Sequence, residues 1–297
     1  MRPNRSLALA ALPGAAAVAL WGGYRHAVHL FGADRATPAH LPGNLRTVNT
    51  DWGRLSYRYV AGSNPGPPLM LIHGWGSSAD PVWWQLIQHT ERTVVAIDLP
   101  GHGRSTLNRR FSFSIASNAV MEAAADAGLR RPVLVGHSMG GPVALTALNE
   151  LGAESFAGFV AIATSAYWVR PRHQVMVAAA PYVLGPGSPI VTGAMRAEAK
   201  SHPDLADQVA RAYAMRPNRR VLIEAAAELR RFDAREWRDL RIPPAVWIVT
   251  SEDGVVPADD QRASAVHFGI PSIELSSDHP AVTRAPMGVA AIIERLF

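Results

Sequence analysis

Five short runs of consecutive apolar residues constrain the fold of this chain more than any other feature. They occupy residues 69–72, 94–97, 133–135, 159–163 and 245–249. A strand buried on both faces of a parallel sheet has such a continuous run, whereas a strand with one exposed face alternates apolar and polar residues. Patterns typical of helices separate most of the runs. The sequence therefore predicts an α/β fold with a mostly parallel central sheet flanked by helices.

The remaining elements follow from local patterns. Alternating residues on either side of Asp51-Trp52-Gly53 predict a β-hairpin formed by residues 46–50 and 54–60. Helices are predicted over residues 80–92, 115–128, 139–151, 259–268 and 283–296. These helices supply the connections and the layers that a parallel sheet requires.

The interval between the fourth and fifth apolar runs is too long for one connection. It contains helical patterns around residues 174–184, 203–215 and 219–232, and its apolar residues are more numerous than a solvated connection needs. We interpret residues 168–240, approximately, as a helical lid inserted over a site. Ordinary core helices are the alternative.

The third apolar run leads directly into a G-x-S-x-G motif, Gly136-His137-Ser138-Met139-Gly140, which a helix-forming stretch follows. A strand, a sharp turn and a helix in this order expose the serine hydroxyl at the edge of the sheet. A tight structural corner is the alternative interpretation. Ser138 is therefore the candidate nucleophile.

A serine hydroxyl needs a neutral imidazole to accept its proton and a carboxylate to orient that imidazole. Because active groups gather at the carboxyl ends of parallel strands, the search is restricted to residues that follow strands. Asp253 follows the fifth apolar run, and His279 follows the next apolar segment. The sequence thus predicts a triad of Ser138, Asp253 and His279, with the neighbouring Glu252 as the rival carboxylate.

The triad residues occur along the chain in the order serine, aspartate, histidine. In this order the sequence resembles the α/β-hydrolase superfamily, over about residues 47–297. Within it, the sequence resembles the branch of small carboxylesterases, lipases and cofactor-free perhydrolases. The further motifs that carry this resemblance are His73-Gly74-Trp75-Gly76, the turn over residues 98–105 and the acid turn over residues 253–257. The resemblance implies an oxyanion hole made by the backbone N–H groups of Trp75 and Met139. It implies no cofactor, and no histidine or carboxylate spacing resembles a zinc site.

Four further residues near these motifs need an interpretation. His73 is interpreted as a structural donor, and His102 and His137 as loop-shaping or pocket-wall residues, because neither follows the last strand. Asp278 stands where the family usually has glycine before the catalytic histidine. Its carboxylate would raise the pKa of the His279 imidazole if it lay close, and would have no such effect if it faced solvent.

The N-terminal residues form a separate unit. Arg2 and Arg5 precede an almost unbroken apolar run over residues 7–21, a layout typical of targeting segments. Residues 1–30 are predicted to be a signal anchor or a cleaved signal peptide, with a helix packed on the domain as the alternative. Residues 31–46 are predicted to be a linker, and residues 47–297 the hydrolase domain. Either targeting segment places this domain outside the cytoplasm, anchored to the membrane or secreted.

Composition narrows the function further. The net charge is +5, but the basic residues are dispersed and Lys200 is the sole lysine, which argues against a nucleic-acid partner. The absence of cysteine excludes a thiol nucleophile and disulfides. We expect a serine hydrolase acting on a small-molecule ester with an apolar acyl part. Carbon–carbon or amide hydrolysis, perhydrolysis, acyl transfer and a non-catalytic ligand-binding role remain alternatives.

Overall fold

The computed structural model describes residues 36–185, 188–237 and 239–297. The whole of the predicted targeting segment, residues 1–30, and the start of the predicted linker lie outside these residues. In the described part of the chain, no helix has the length and apolar character needed to cross a bilayer. Likewise, no group of three or more potential metal ligands occurs there.

The described residues form an eight-stranded sheet with the order β1-β2-β4-β3-β5-β6-β7-β8. The strands are β1 (Asn44–Thr50), β2 (Gly53–Val60), β3 (Asn64–Ile72), β4 (Arg92–Asp98), β5 (Val133–His137), β6 (Gly158–Ile162), β7 (Ala245–Thr250) and β8 (Ser272–Leu275). The β1–β2 and β2–β4 pairs are antiparallel, and all other pairs are parallel. The α/β prediction is therefore confirmed, as is the hairpin, although β1 begins at Asn44 inside the predicted linker.

Helices cover both faces of the sheet. They are α1 (Ala79–Ile87), α2 (Phe113–Asp126), α3 (Gly140–Leu151), α4 (Pro171–Val183), α5 (Pro189–Ser201), α6 (Ala206–Ala214), α7 (Arg219–Arg231), α8 (Ala258–His267), α9 (Ala281–Arg284) and α10 (Pro286–Leu296). Four of these, α4 to α7, lie between β6 and β7, where the sequence predicted three.

The continuous apolar runs are explained by two cores on opposite faces. Along β3, Met70 and Ile72 pack with α2 and α3, whereas Leu69 and Leu71 pack with α1 and α10. All four side chains are fully buried. Because successive side chains of a strand point to opposite faces, a strand covered on both sides has no polar position.

Two helix predictions were wrong in detail, and one helix was not predicted. The first helix ends at Ile87 rather than at residue 92, because Arg92 begins β4. The last predicted helix is two helices that meet at Ala285, whose φ of −131° is not helical. Pro286 disfavours a helical conformation for the residue before it and begins α10 itself. Helix α5 was not predicted.

Candidate active site

Ser138 occupies the sharp turn between β5 and α3. Its φ is +54°, in the left-handed region that non-glycine residues rarely adopt. The turn depends on close backbone packing, since a Cβ on Gly140 would lie 2.1 Å from the carbonyl oxygen of Ile72. Glycine at this position is therefore a steric requirement of the turn.

Neighbouring groups hold the strained turn in place. The Ser138 amide donates to the carbonyl of Ile162 at 3.0 Å, which anchors the turn to β6. The Ser138 carbonyl accepts from the Thr164 hydroxyl at 2.7 Å and from the Gly141 amide at 2.9 Å. These hydrogen bonds compensate for the strained backbone and fix the direction of the Ser138 side chain.

His279 links the serine to a carboxylate. Its Nδ1 lies 2.9 Å from Asp253 Oδ2, and its Nε2 lies 3.0 Å from Ser138 Oγ. A carboxylate only accepts, so Nδ1 carries a proton and Nε2 can accept the serine proton. The three residues are each less than a tenth exposed. The structure thus brings together the three residues that the sequence predicted.

The Asp253 carboxylate has further partners. Oδ1 accepts from the amides of Val255 and Val256, at 2.8 and 2.9 Å. Burial alone would raise the pKa of this carboxyl, but the charge and hydrogen bond of His279 and these two amides together outweigh burial and lower the pKa. Asp253 therefore stays ionised over the range in which a histidine titrates.

Sequence reasoning missed two buried residues that support this carboxylate. Asp253 Oδ2 accepts from the Thr250 hydroxyl at 2.9 Å and from Gln261 Nε2 at 3.2 Å. Gln261 also donates to the Val256 carbonyl at 2.7 Å, and it accepts from the Thr250 amide at 3.0 Å. No motif marks Gln261. Its position in α8, directly after the acid turn, is the sequence feature that could have identified it.

The two other carboxylates near the site contact other groups. Glu252 is exposed and accepts a hydrogen bond from the Ser276 hydroxyl at 2.7 Å, so the rival to Asp253 does not contact His279. Asp278 forms an ion pair with Arg284. Asp253 is therefore the carboxylate hydrogen-bonded to His279 Nδ1.

The family resemblance implies an oxyanion hole beside Ser138, made by the backbone amides of Trp75 and Met139. A Cβ on Gly74 would lie 3.0 Å from Ser138 Cβ, so the turn after β3 passes directly beside the serine. Within the described residues, neither the Trp75 nor the Met139 amide donates a hydrogen bond to a protein group. Both backbone donors are thus available within the described part of the chain.

The Trp75 side chain points towards the helices between β6 and β7. Its Nε1 donates to the Leu222 carbonyl in α7 at 3.0 Å. Trp75 also packs against a small separate core that includes Leu184 and Val191. The turn after β3 is therefore fixed to this group of helices by both a hydrogen bond and apolar contact.

Two histidines of the neighbouring motifs, His73 and His102, form hydrogen bonds within the loops. His73 Nδ1 donates to the Gly74 carbonyl at 2.8 Å, and Nε2 accepts from the Leu99 amide at 3.1 Å. His102 Nδ1 donates to the Pro100 carbonyl at 3.1 Å, and burial lowers the pKa of its imidazole to about 4. The interpretation of His73 as a structural donor agrees with these contacts.

The turn after β4 is organised by Asp98. Its carboxylate accepts from the amides of Ala79 and Arg104, at 2.8 and 3.0 Å. Burial raises the pKa of Asp98 to about 6, although these amides oppose the shift. The motif over residues 98–105 is therefore a structural turn that connects β4 with α1.

Known proteins share this fold and parts of this sequence. A chain from a Pseudomonas aeruginosa hydrolase covers 86% of this chain and 98% of its own length, with a TM-score of 0.63 and 23% identity. An esterase from Exiguobacterium antarcticum covers 85% of this chain and 98% of its own, with a TM-score of 0.71 and 14% identity. At these identities the likeness shows the fold alone.

Curated relatives match over shorter stretches. An sn-1-specific diacylglycerol lipase from Xenopus tropicalis is 38% identical over 100 residues, which are 32% of this chain and 31% of the lipase. A pimeloyl-[acyl-carrier protein] methyl ester esterase from Methylococcus capsulatus is 39% identical over 92 residues, 30% of this chain and 34% of the esterase. The matched stretch thus spans about a third of each relative.

The alpha/beta hydrolase family model matches a much larger part of the chain. It extends over residues 69–292, from β3 to α10, and includes the serine turn, the acid turn and the histidine loop. The resemblance inferred from the motifs is confirmed: the chain belongs to the alpha/beta hydrolase family.

Proposed function

We propose that the protein is a serine hydrolase that cleaves carboxylic ester bonds of small molecules. The observation that supports this proposal is the hydrogen-bonded line from Ser138 Oγ through His279 to Asp253, with steps of 3.0 and 2.9 Å. An arrangement of this kind lets a serine hydroxyl lose its proton as it attacks a carbonyl at neutral pH.

The first half of the reaction forms an acyl-enzyme. Ser138 Oγ attacks the carbonyl carbon of the ester, and its proton passes to His279 Nε2. The resulting imidazolium donates that proton to the departing alcohol oxygen as the ester C–O bond breaks. Asp253 remains ionised throughout and stabilises the charged imidazole, which agrees with its lowered pKa.

The second half releases the acid. A water molecule attacks the acyl carbonyl while His279 Nε2 accepts a water proton, and the tetrahedral intermediate expels Ser138 Oγ, which regains a proton from His279. In both halves the negative oxygen receives hydrogen bonds from the amides of Trp75 and Met139. Each such donor typically contributes about 2.7 to 4 kcal/mol of transition-state stabilisation.

We also propose that α4 to α7 act as a lid that selects an apolar acyl part. Support comes from Leu222 in α7, whose Cδ2 lies 3.6 Å from the position that a Cβ on Gly76 would take. The small core beside Trp75 is apolar as well. An apolar wall next to the oxyanion donors favours an aliphatic or aromatic acyl chain over a charged one.

The test uses the full-length chain and p-nitrophenyl esters of increasing acyl length. Ser138→Ala should abolish turnover, whereas Ser114→Ala, which changes an exposed serine in α2, should leave it unchanged. The acyl length with the highest kcat/KM then indicates the length of the apolar pocket. Equal activity of Ser138→Ala and the wild type would contradict the proposal.

A fluorophosphonate probe separates the remaining alternatives. If the wild type is labelled at Ser138 but hydrolyses no ester, the triad acts on another acyl compound, through amide or carbon–carbon hydrolysis, perhydrolysis or acyl transfer. If the folded wild type is not labelled at all, the non-catalytic ligand-binding alternative is correct. Labelling that persists in Ser138→Ala would identify a different nucleophile.

A further inference from the structure

A cavity of about 250 Å³ lies outside the proposed active site. Residues before β1 form part of its lining, with Thr37 and Leu41 among them, and the C-terminal end of α6 forms another part around Met215. None of the triad residues and neither oxyanion residue lines it. The cavity is therefore a separate site from the serine turn.

The polar lining of this cavity is predominantly cationic. Arg58, Arg104 and Arg211 contribute three guanidinium groups, and Asp80 contributes the one carboxylate of the lining. The remaining lining residues are uncharged and mostly apolar. An interior surface with this surplus of positive charge attracts an anion.

Two of the three guanidinium groups share the same carboxylate. Arg58 is buried, and its Nε and Nη2 donate to the two oxygens of Asp80 at 2.7 and 2.9 Å. Arg104 Nη1 donates to Asp80 Oδ2 at 2.9 Å. Asp98 lies 4.0 Å from Arg104 and is a second carboxylate beside these groups. Asp80 and Asp98 together balance Arg58 and Arg104, so the surplus positive charge of the cavity is that of Arg211.

The third guanidinium group belongs to α6. Arg211 is exposed, and its Nε donates to the main-chain carbonyl of Thr37 at 3.0 Å. Among the residues that the structure describes, no carboxylate pairs with Arg211. Its hydrogen bond to Thr37 holds the guanidinium group at the cavity wall while leaving its charge uncompensated.

We propose that this cavity binds a small molecule that carries a carboxylate or phosphate group. The oxyanion would lie between Arg104 and Arg211, because planar guanidinium groups donate paired hydrogen bonds to such oxygens. A short apolar part of the same molecule would contact Leu41 and Met215, which belong to the lining. The volume of the cavity can accommodate a molecule that has a few heavy atoms in addition to its anionic group.

Isothermal titration calorimetry on the full-length chain tests this proposal. Sodium phosphate and sodium butyrate are titrated at constant ionic strength, with sodium chloride as the reference anion. We expect saturable one-to-one binding of phosphate or butyrate and no saturable heat with chloride. The tighter of the two ligands identifies the oxyanion as a phosphate or a carboxylate. Heats that match chloride for both ligands would overturn the proposal.

Three variants connect the binding to the cavity. Arg211→Gln removes an exposed guanidinium group and should weaken binding at least tenfold, since a hydrogen bond to a charged group contributes on this scale. Arg211→Lys keeps the charge and should weaken binding less. Arg130→Gln changes an exposed arginine outside the lining and should have no effect. Unchanged affinity in Arg211→Gln would show that any bound anion lies elsewhere.

Discussion

The imidazole of His137 donates a hydrogen bond from Nε2 to the main-chain carbonyl of His279, across 2.9 Å. The two rings also lie close together, with centroids 5.2 Å apart. The residue directly before the proposed nucleophile thus fixes the loop that carries the proposed general base. Side-chain and main-chain contacts both determine the distance between Ser138 and His279.

Replacing His137 tests this positioning role. His137→Leu removes the donor, so the His279 loop should shift and kcat should fall by about 10- to 100-fold, with little change in KM. His137→Gln can donate to the same carbonyl and should restore most of kcat. Steady-state kinetics of both variants check this prediction. Equal losses in the two variants would show that His137 acts through packing alone.

The proposed role of Asp253 predicts a large kinetic effect with little structural change. Asp253→Asn should lower kcat/KM on the order of 10³- to 10⁴-fold, because an amide neither stabilises the imidazolium nor enforces the Nδ1–H tautomer. Glu252→Gln is the matched control and should keep nearly full activity, since Glu252 is exposed and contacts Ser276. Ester hydrolysis by the two variants is the measurement. A larger loss in Glu252→Gln would reverse the assignment.

The Trp75 indole predicts a smaller effect. Trp75→Phe keeps the backbone amide but removes the hydrogen bond to the Leu222 carbonyl, a net contribution of about 0.5 to 1.5 kcal/mol. We expect kcat/KM to fall by about 3- to 10-fold, with an altered preference for acyl length. Trp84→Phe is the control, because the Trp84 Nε1 has no hydrogen-bond partner among the described residues. Hydrolysis of the ester series by each variant decides between these outcomes.

Buried His102 predicts a loss of stability in mild acid. Its pKa is lowered to about 4, so between its ordinary value of 6.5 and 4 the unfolded chain binds a proton that the folded protein does not. His102 thus contributes about 2 kcal/mol of destabilisation at pH 5 relative to pH 7. His102→Phe should remove this contribution. The measurement is the free energy of unfolding in urea at both of these pH values.

The comparison between the wild type and His102→Phe isolates the histidine. Asp98, whose pKa is raised to about 6, has the opposite sign: as the pH falls through 6 the folded protein gains a proton before the unfolded chain does, and stability rises. This contribution is present in both proteins and cancels in their difference. An identical pH dependence of the two proteins would refute the prediction for His102.

The sequence alone was sufficient to predict the parts of the candidate site that depend on local chemistry. Ser138 could be found because a strand, glycines and a helix must surround a strained turn. Asp253 and His279 could be found because they follow strands whose carboxyl ends share one edge of the sheet. The apolar runs predicted a sheet covered on both faces for the same reason, since burial leaves no place for polar side chains.

Other features depend on contacts between distant segments, which no local pattern encodes. Gln261 looks like an ordinary helix residue until α8 is packed beside Asp253, where its amide joins Thr250 and Val256. The contact between His137 and the His279 carbonyl spans 142 residues. Helix α5 was missed because Thr192 and Gly193 weaken its helical pattern, although its Ser188 side chain caps it by accepting from the Val191 amide.

The position of strand β8 affects how the protein loses activity on heating. It is four residues long, lies at the edge of the sheet and pairs with β7 alone, yet the loop after it carries His279. Short edge strands open locally at a lower free energy than the strands at the centre of a sheet. Fraying at this edge removes the proposed proton acceptor while the serine turn, which follows the fifth strand counted from the other edge, stays intact. On heating, inactivation therefore begins below the temperature at which the sheet melts.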